Sequence, residues 1–256
     1  MEQIQVSIDA GTATVRLDNP SQRNALTKNM CLQLVGALAA VSADRNVHVV
    51  VLRGAGSSFS AGIAIDQMDQ VLFDDDGFGG LYNHFDAVDR AVTGCSKPTI
   101  AVVEGSCFGG GWQLAAACDI QLASTSTQIA ITPAKVGLLF PRLGLERLVQ
   151  LAGASRAKYL LYSGAQISVQ EAVHWGLFTK LVPAEDLELQ LAHLLAQLKS
   201  NSQFAIARTG EAIGLLDALD SEQDYWWGEA WQANAHSADL AEGRRAFLEH
   251  RTPRFG

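Results

Sequence analysis

The chain has 256 residues, 48% of them apolar and 18% charged, with a formal net charge of −8. That is the make-up of an ordinary globular protein long enough to bury a large core. The acidic balance excludes a general nucleic-acid binder, which needs a basic face to displace counterions. No run of about 20 apolar residues is present to span a bilayer, so no membrane partner is expected. The start MEQIQVSIDA lacks the basic end and apolar stretch of a secretory leader, which predicts a cytoplasmic protein. Cys31, Cys95, Cys107 and Cys118 have no metal-ligand spacing and sit in or near apolar runs. Buried reduced thiols and no metal are expected of them.

Taken in order, residues 3–18 alternate on either side of Ala10-Gly11 and predict a β-hairpin. Thr27 is placed to cap a helix running to about Ser42, with Met30, Leu34, Ala37, Leu38 and Val41 on one face. Val47–Leu52 reads as a buried strand, parallel to its neighbours. Ser60, Ala61 and Gly62 are small enough to let a ligand approach the backbone. The segment DDDGFGG at 74–80 reads as a mobile surface loop. A helix follows from Tyr82 to Val92.

Residues 97–120, KPTIAVVEGSCFGGGWQLAAACDI, organise the chain. Thr99–Val103 predicts a strand buried on both faces. Gly105 and the triplet Gly109-Gly110-Gly111 break it, and a helix starts at about Trp112. The first turn of a helix cannot satisfy its own N–H groups, and its dipole favours negative charge. An anion or developing oxyanion is therefore expected near Gly110. The alternative is that these glycines only let two backbones pack closely. Beyond this point Asp119–Ala123 predicts a strand, Ser124–Thr127 a turn and 133–141 a loop. Helices are expected at about 143–152, 155–161, 168–174, 184–199, 202–219, 222–236 and 239–249. Ser168 with Glu171 fits a capping box, and Ser221 with Asp224 a looser one.

The two glycine-containing loops, SAGIAI at 60–65 and Gly105-x-x-x-Gly109-Gly110-Gly111, resemble the crotonase family, also called enoyl-CoA hydratase/isomerases. Arg23-Asn24-Ala25-Leu26, Lys97–Ala101, Gly164–Ser168, Glu171-Ala172-x-x-x-Gly176-Leu177 and Ala246–Arg251 extend the resemblance over almost the whole chain. It implies an α/β fold, a spiral of β-β-α units over residues 1–195 with a C-terminal helical trimerisation region over 196–256. It also implies a homotrimer or hexamer, an acyl-CoA thioester as substrate and no cofactor beyond the coenzyme A of that substrate. The backbone N–H groups of Ile63 and Gly110 would hold the thioester oxygen, strengthening as enolate charge develops there. Contacts to substrate or coenzyme A are implied at Arg23, Ala25, Ser60, Ala61, Ala64, Ile65, Gly109, Trp112, Phe247, His250 and Arg251. Trp112 has a second reading as core packing. Arg244 and Arg254 are further candidates for the phosphates, because His250 replaces the family's usual lysine.

The chain also departs from the pattern. Hydratases of this family use two glutamates, and those positions are Gln113 and Pro133 here. A glutamine amide cannot exchange a proton as a carboxylate can, and proline has no side-chain proton. Syn-hydration is disfavoured on this ground. The motifs are nearest to the methylmalonyl-CoA decarboxylase-like branch, so decarboxylation of a malonyl-type thioester is the leading expectation. That branch carries a histidine where Ile63 stands and a tyrosine where Phe140 stands, and both positions are apolar here. Double-bond isomerisation, hydration and a non-catalytic acyl-CoA binder are the alternatives. Asp66, Asp69, His84, Asp86 and Glu146 are the candidate acids or bases, with His84 first because its helix follows the loop at 74–80.

Overall fold

In the computed structural model, residues 2–215, 229, 231, 233 and 236–255 are described. The predicted hairpin is present as β1 (Gln3–Asp9) and β2 (Thr12–Asp18), antiparallel with Val6 opposite Val15. A six-stranded sheet continues from it through β3 (Val49–Gly54), β6 (Thr99–Val103), β8 (Ile120–Ser124) and β11 (Lys180–Val182). All joins after β1–β2 are parallel. The central strands are buried on both sides, as near-continuous apolar runs require. Val50, Leu52, Ala101 and Val103 enter one core; Val49, Val51, Ile100 and Val102 enter the other, beneath Leu187 and Leu191 of α8 (Leu187–Ser200).

A second, three-stranded sheet joins β10 (Gln166–Ile167), β9 (Gln128–Ala130) and β7 (Ser106–Phe108). The strands pair off, β6 with β7 and β8 with β9. The first of each pair lies in the large sheet and the second in the small one. A helix follows each pair: α4 (Gly110–Ala117) after β7, then α5 (Arg142–Ala152) and α6 (Ala154–Ser163) after β9. This is the expected spiral of β-β-α units. Thr27 Oγ1 accepts from the Met30 N–H and caps α1 (Lys28–Ala43) as predicted. Ser168 and Glu171 form the complete capping box of α7 (Val169–His174).

Several expectations are corrected. The segment 74–80 is closed as a short hairpin, β4 (Asp74–Asp75) against β5 (Leu81–Tyr82). The following helix, α3 (His84–Thr93), starts two residues later than predicted, because the Asn83 side chain accepts from the Phe85 and Asp86 N–H groups. Strands β10 and β11 fall in a region expected to be nearly all helix. Residue 195 lies inside α8, which runs on to Ser200, and Asn201 and Ser202 separate it from α9 (Gln203–Gly214). The 222–236 helix, the Ser221–Asp224 cap, Trp226 and Trp227 lie largely or wholly outside the described residues. Cys31, Cys107 and Cys118 are buried free thiols, which burial pushes up in pKa, and Cys95 is half-buried.

Two features make the fold testable. Gly105 has φ +54°, and a Cβ there would fall 2.0 Å from the Ser57 carbonyl oxygen. Gly105→Ala is expected to lower unfolding free energy by roughly 2–4 kcal/mol, measured by urea denaturation. The 74–82 hairpin is tied down at Asp74, whose Oδ2 accepts from Lys28 Nζ (2.6 Å) and His84 Nε2 (2.8 Å). These bonds, Lys28 first, hold the Asp74 carboxyl down at about 2. A depressed carboxylate stabilises the folded state above its unfolded pKa of about 3.9, and the effect is lost as pH falls through the folded value. Asp74→Asn is therefore expected to lower the urea midpoint at about pH 5, with the difference from wild type closing toward about pH 2.

Candidate active site

The site is built where two backbone turns are stitched together. The Phe59 N–H donates to the Glu104 carbonyl (2.7 Å), the Ser60 N–H to the Ser106 carbonyl (2.8 Å), and the Phe108 N–H to the Ser60 carbonyl (3.0 Å). Ser60 thus pairs with Cys107 as in a parallel sheet. Its hydroxyl, fully buried, donates to the Asn24 carbonyl (2.8 Å) and accepts from the Gly62 N–H (3.1 Å). The Asn24 amide spans to the Ala55 and Ser58 carbonyls at 2.8 and 2.7 Å. The motif Arg23–Leu26 therefore braces the first turn from below.

This pairing decides where Ile63 points. The Leu26 N–H donates to the Gly62 carbonyl (2.7 Å) and the Ala64 N–H to the Leu26 carbonyl (2.9 Å). Residues alternate along such a bridge, so the Ile63 N–H faces the other way. Gly110 opens α4 after Gly109, whose φ of +48° and ψ of −111° suit glycine. The first helical bond runs from the Gln113 N–H to the Gly109 carbonyl (3.1 Å), so the Gly110 N–H has no partner in its own helix. Among the described residues neither the Ile63 nor the Gly110 N–H donates to another group. The turns are close: a Cβ on Gly62 would fall 3.1 Å from the Gly110 nitrogen, and one on Gly110 would fall 3.4 Å from Ile63 Cγ1.

Both residues line one open cleft. Ala61, Ile65, Gly109, Gln113, Pro133 and Phe140, all expected at the site, line it too. So do Met68, Phe85, Phe108, Thr132, Val136, Leu138 and Pro141, which sequence reasoning did not assign. The wall is apolar, and among the described residues no carboxylate, imidazole, amine or guanidinium lines it. No group of three or more metal-ligating side chains occurs among the described residues.

Other expected site residues are placed elsewhere. His84 is buried and spent on Asp74, with the Tyr82 ring edge-on at 4.7 Å, and does not line the cleft. Trp112 is fully buried, with Nε1 donating to the Leu177 carbonyl (3.3 Å), so its packing reading holds. Ala25, Ala64 and Ser60 are buried supports behind the lining. Arg23 is exposed, and its carbonyl accepts from the Ala61 N–H (2.8 Å), which sets it next to the cleft. Arg251 pairs with Glu242 and Glu249 at the C-terminal end and does not line the cleft. His250 is exposed nearby with φ +53°. Phe247 lies in the last helix, Ala238–Leu248, and its side chain is outside the description. Asp66 and Asp69 sit in and just after the turn Ile65–Gln67, and Glu146 is held by Arg142 at 2.6 Å.

Behind the cleft wall lies a buried charged group that the sequence did not signal. Asp89 of α3, 1% exposed, accepts from both Arg147 terminal nitrogens at 2.9 Å and from Gln113 Nε2 at 3.0 Å. The available clue was an aspartate four residues after Phe85, on the apolar face of α3, where a charge requires a partner. Asp86, on the same helix, has one buried oxygen without a partner among the described residues; burial, then Asp89, raises its pKa.

Known proteins match this chain over its full length. A family described as enoyl-CoA hydratase/isomerase matches residues 7–256. A crotonyl-CoA hydratase from Syntrophomonas wolfei is 30% identical, covering 99% of this chain and 98% of the relative. A 1,2-epoxyphenylacetyl-CoA isomerase from Escherichia coli is 29% identical, covering 100% and 98%. The crystal structure of an enoyl-CoA hydratase/isomerase family member superposes with a TM-score of 0.97 at 42% identity, covering 100% and 97%. An enoyl-CoA hydratase structure from Bacillus anthracis gives 0.87 at 28%, covering 98% of each chain. With the β-β-α spiral and the paired turns in place, the chain belongs to the enoyl-CoA hydratase/isomerase, or crotonase, family of acyl-CoA-processing enzymes.

Proposed function

We propose that this protein is an acyl-CoA isomerase that holds a thioester carbonyl oxygen between the Ile63 and Gly110 N–H groups and stabilises the enolate formed there. The observation that carries this reading is that Ile63 and Gly110, whose N–H groups donate to no described residue, both line one apolar cleft. Such donors are worth most where water is excluded and charge is still developing. The names of the relatives offer hydration and isomerisation. Hydration needs a side chain to take a proton from water. Gln113 and Pro133 cannot, and no other described residue of the lining titrates. Decarboxylation, the leading expectation from the motifs, also loses support. Among the described residues a malonyl-type carboxylate finds no cation in the lining, and the one free side-chain donor there is the Thr132 hydroxyl. An isomerisation in which a bond of the acyl group breaks, and the electron pair held meanwhile in the enolate closes a new bond within the same acyl group, exchanges no proton with the protein and needs the oxyanion site alone. Arg23, beside Ala61, is the cation we assign to coenzyme A.

Mass spectrometry after incubation with 1,2-epoxyphenylacetyl-CoA, crotonyl-CoA and methylmalonyl-CoA separates the readings. An isomer of unchanged mass is expected from the first. Water addition to crotonyl-CoA is expected to be at least about 10²-fold slower. Loss of carbon dioxide, or fast hydration, overturns the proposal; tight binding of every thioester without turnover assigns a binder instead.

The amide is tested by Gly110→Pro. Proline is tolerated at a first helical position but has no N–H. Its kcat is expected to fall by about 10²–10³, while Gly110→Ala, which keeps the donor, loses far less. Equal loss in the two variants would remove the Gly110 donor from the mechanism.

A further inference from the structure

A second apolar groove lies between α5 and α6. From α6 it takes Ala154, Ala157, Lys158, Leu161 and Tyr162. These recur at steps of three, one, three and one residues, so they form one stripe along the helix. Leu145 and Val149, one turn apart on α5, line it too, and Leu139 joins them from the 133–141 loop. The groove is open to solvent: Leu139 is 86% exposed, Tyr162 75% and Val149 39%. Apolar side chains exposed together mark a binding surface, whereas scattered ones do not.

The charge around the groove says what it suits. Residues 133–163 carry Lys135, Arg142, Arg147, Arg156 and Lys158 against one carboxylate, Glu146, in a chain of net charge −8. Three of those cations are engaged. Arg142 holds Glu146, Arg147 holds Asp89, and Arg156 lies over the Trp175 ring at 5.4 Å. The side chains of Lys135 and Lys158 make no hydrogen bond or ion pair with a described residue. Lys158 stands in the α6 stripe itself. The Lys135 stem lies against Gly164, where a Cβ would fall 2.7 Å from Lys135 Cε, at the C-terminal end of α6. Such side chains lay their stems on apolar surface and keep the charged head in water. An apolar groove with two unpaired amines beside it is complementary to an apolar chain ending in an anion. A neutral chain end would leave both lysines unanswered. A helix rises about 1.5 Å per residue, so Ala154 to Tyr162 spans about 12 Å, room for an extended chain of about eight carbons.

We propose that the groove between α5 and α6 binds a free medium-chain fatty acid as its carboxylate. The chain lies between the two helices, and Lys158, with Lys135, takes the head. Neither Ile63 nor Gly110 lines this groove, so it stands apart from the acyl-CoA reading.

NMR titration of the full chain with hexanoate, octanoate and 1-octanol tests this. Octanoate is expected to bind about tenfold tighter than hexanoate, through two more buried methylenes. It is also expected to bind at least about threefold tighter than 1-octanol, which has the same chain and no charge. In Lys135→Gln/Lys158→Gln the octanoate-to-octanol ratio is expected to fall at least about threefold. Val149→Glu sets a like charge in the groove and is expected to weaken octanoate at least about tenfold. Octanol binding as tightly as octanoate, or no octanoate binding to the wild type, overturns the proposal. Octanoate affinity unchanged in Val149→Glu overturns it too, because the chain then sits elsewhere, the cleft included. A wild-type oligomer that Val149→Glu dissociates assigns the groove to a second copy of this chain instead. The two wild-type comparisons decide the matter even where a variant fails to fold.

Discussion

The two amides of the cleft depend on one short stretch of parallel pairing. Ser60 is bonded through its carbonyl to Phe108 and through its N–H to Ser106, and its hydroxyl ties down Asn24 and Gly62. Three chain segments distant in sequence thereby converge within a few ångströms. The contact is tight enough that a Cβ at Gly111 would fall 2.4 Å from the Ser60 carbonyl oxygen. Once Ser60 is fixed, alternation along the Leu26–Ile63 bridge turns the Ile63 N–H outward. The helix start at Gly110 presents its own N–H beside it. The strands that carry these turns are buried on both faces, so the geometry is backed by close-packed apolar side chains rather than by loops.

The same architecture keeps charge behind the wall rather than in the cleft. The lining is apolar, and among the described residues its side-chain polar groups are those of Gln113 and Thr132. Asp89 and Arg147 neutralise each other one layer back. A buried ion pair of this kind contributes little net stability but is costly to break from one side. Its evident effect here is to give a neutral side chain a direction. With Gln113 and Pro133 at the positions where the resemblance implies glutamates, the cleft keeps the two main-chain amides that we propose hold an oxyanion. It lacks the groups that move protons at those positions.

Local pattern carried much of the fold. Alternation in 3–18, the apolar runs at 47–52 and 99–103 and the caps at Thr27 and Ser168 all rest on neighbours in sequence, and each formed, the first run as the strand Val49–Gly54. The glycine loops and the other ordered motifs carried the family. Glycine spacing also marked the Gly110 turn, because a strand that breaks at glycines and restarts as a helix must leave N–H groups unpaired.

Pairing over long separations was not legible. Strands β7, β9 and β10 are two or three residues long, too short for a periodic signal, and exist because they meet each other. The 74–82 hairpin is held by Lys28, 46 residues away from Asp74. His84 read as a candidate base until its Nε2 was found on that same aspartate, and Trp112 as a pocket wall until its ring was found inside the core. Asp89 drew no reading from the sequence, and Arg147 and Gln113 meet it only in the fold. The sequence by itself determined the family, the buried strands and the two small-residue turns, since these depend on local backbone freedom and apolar periodicity. Only the tertiary structure decided which side chains face the cleft and which serve as supports behind it, because that depends on contacts between residues far apart in the chain.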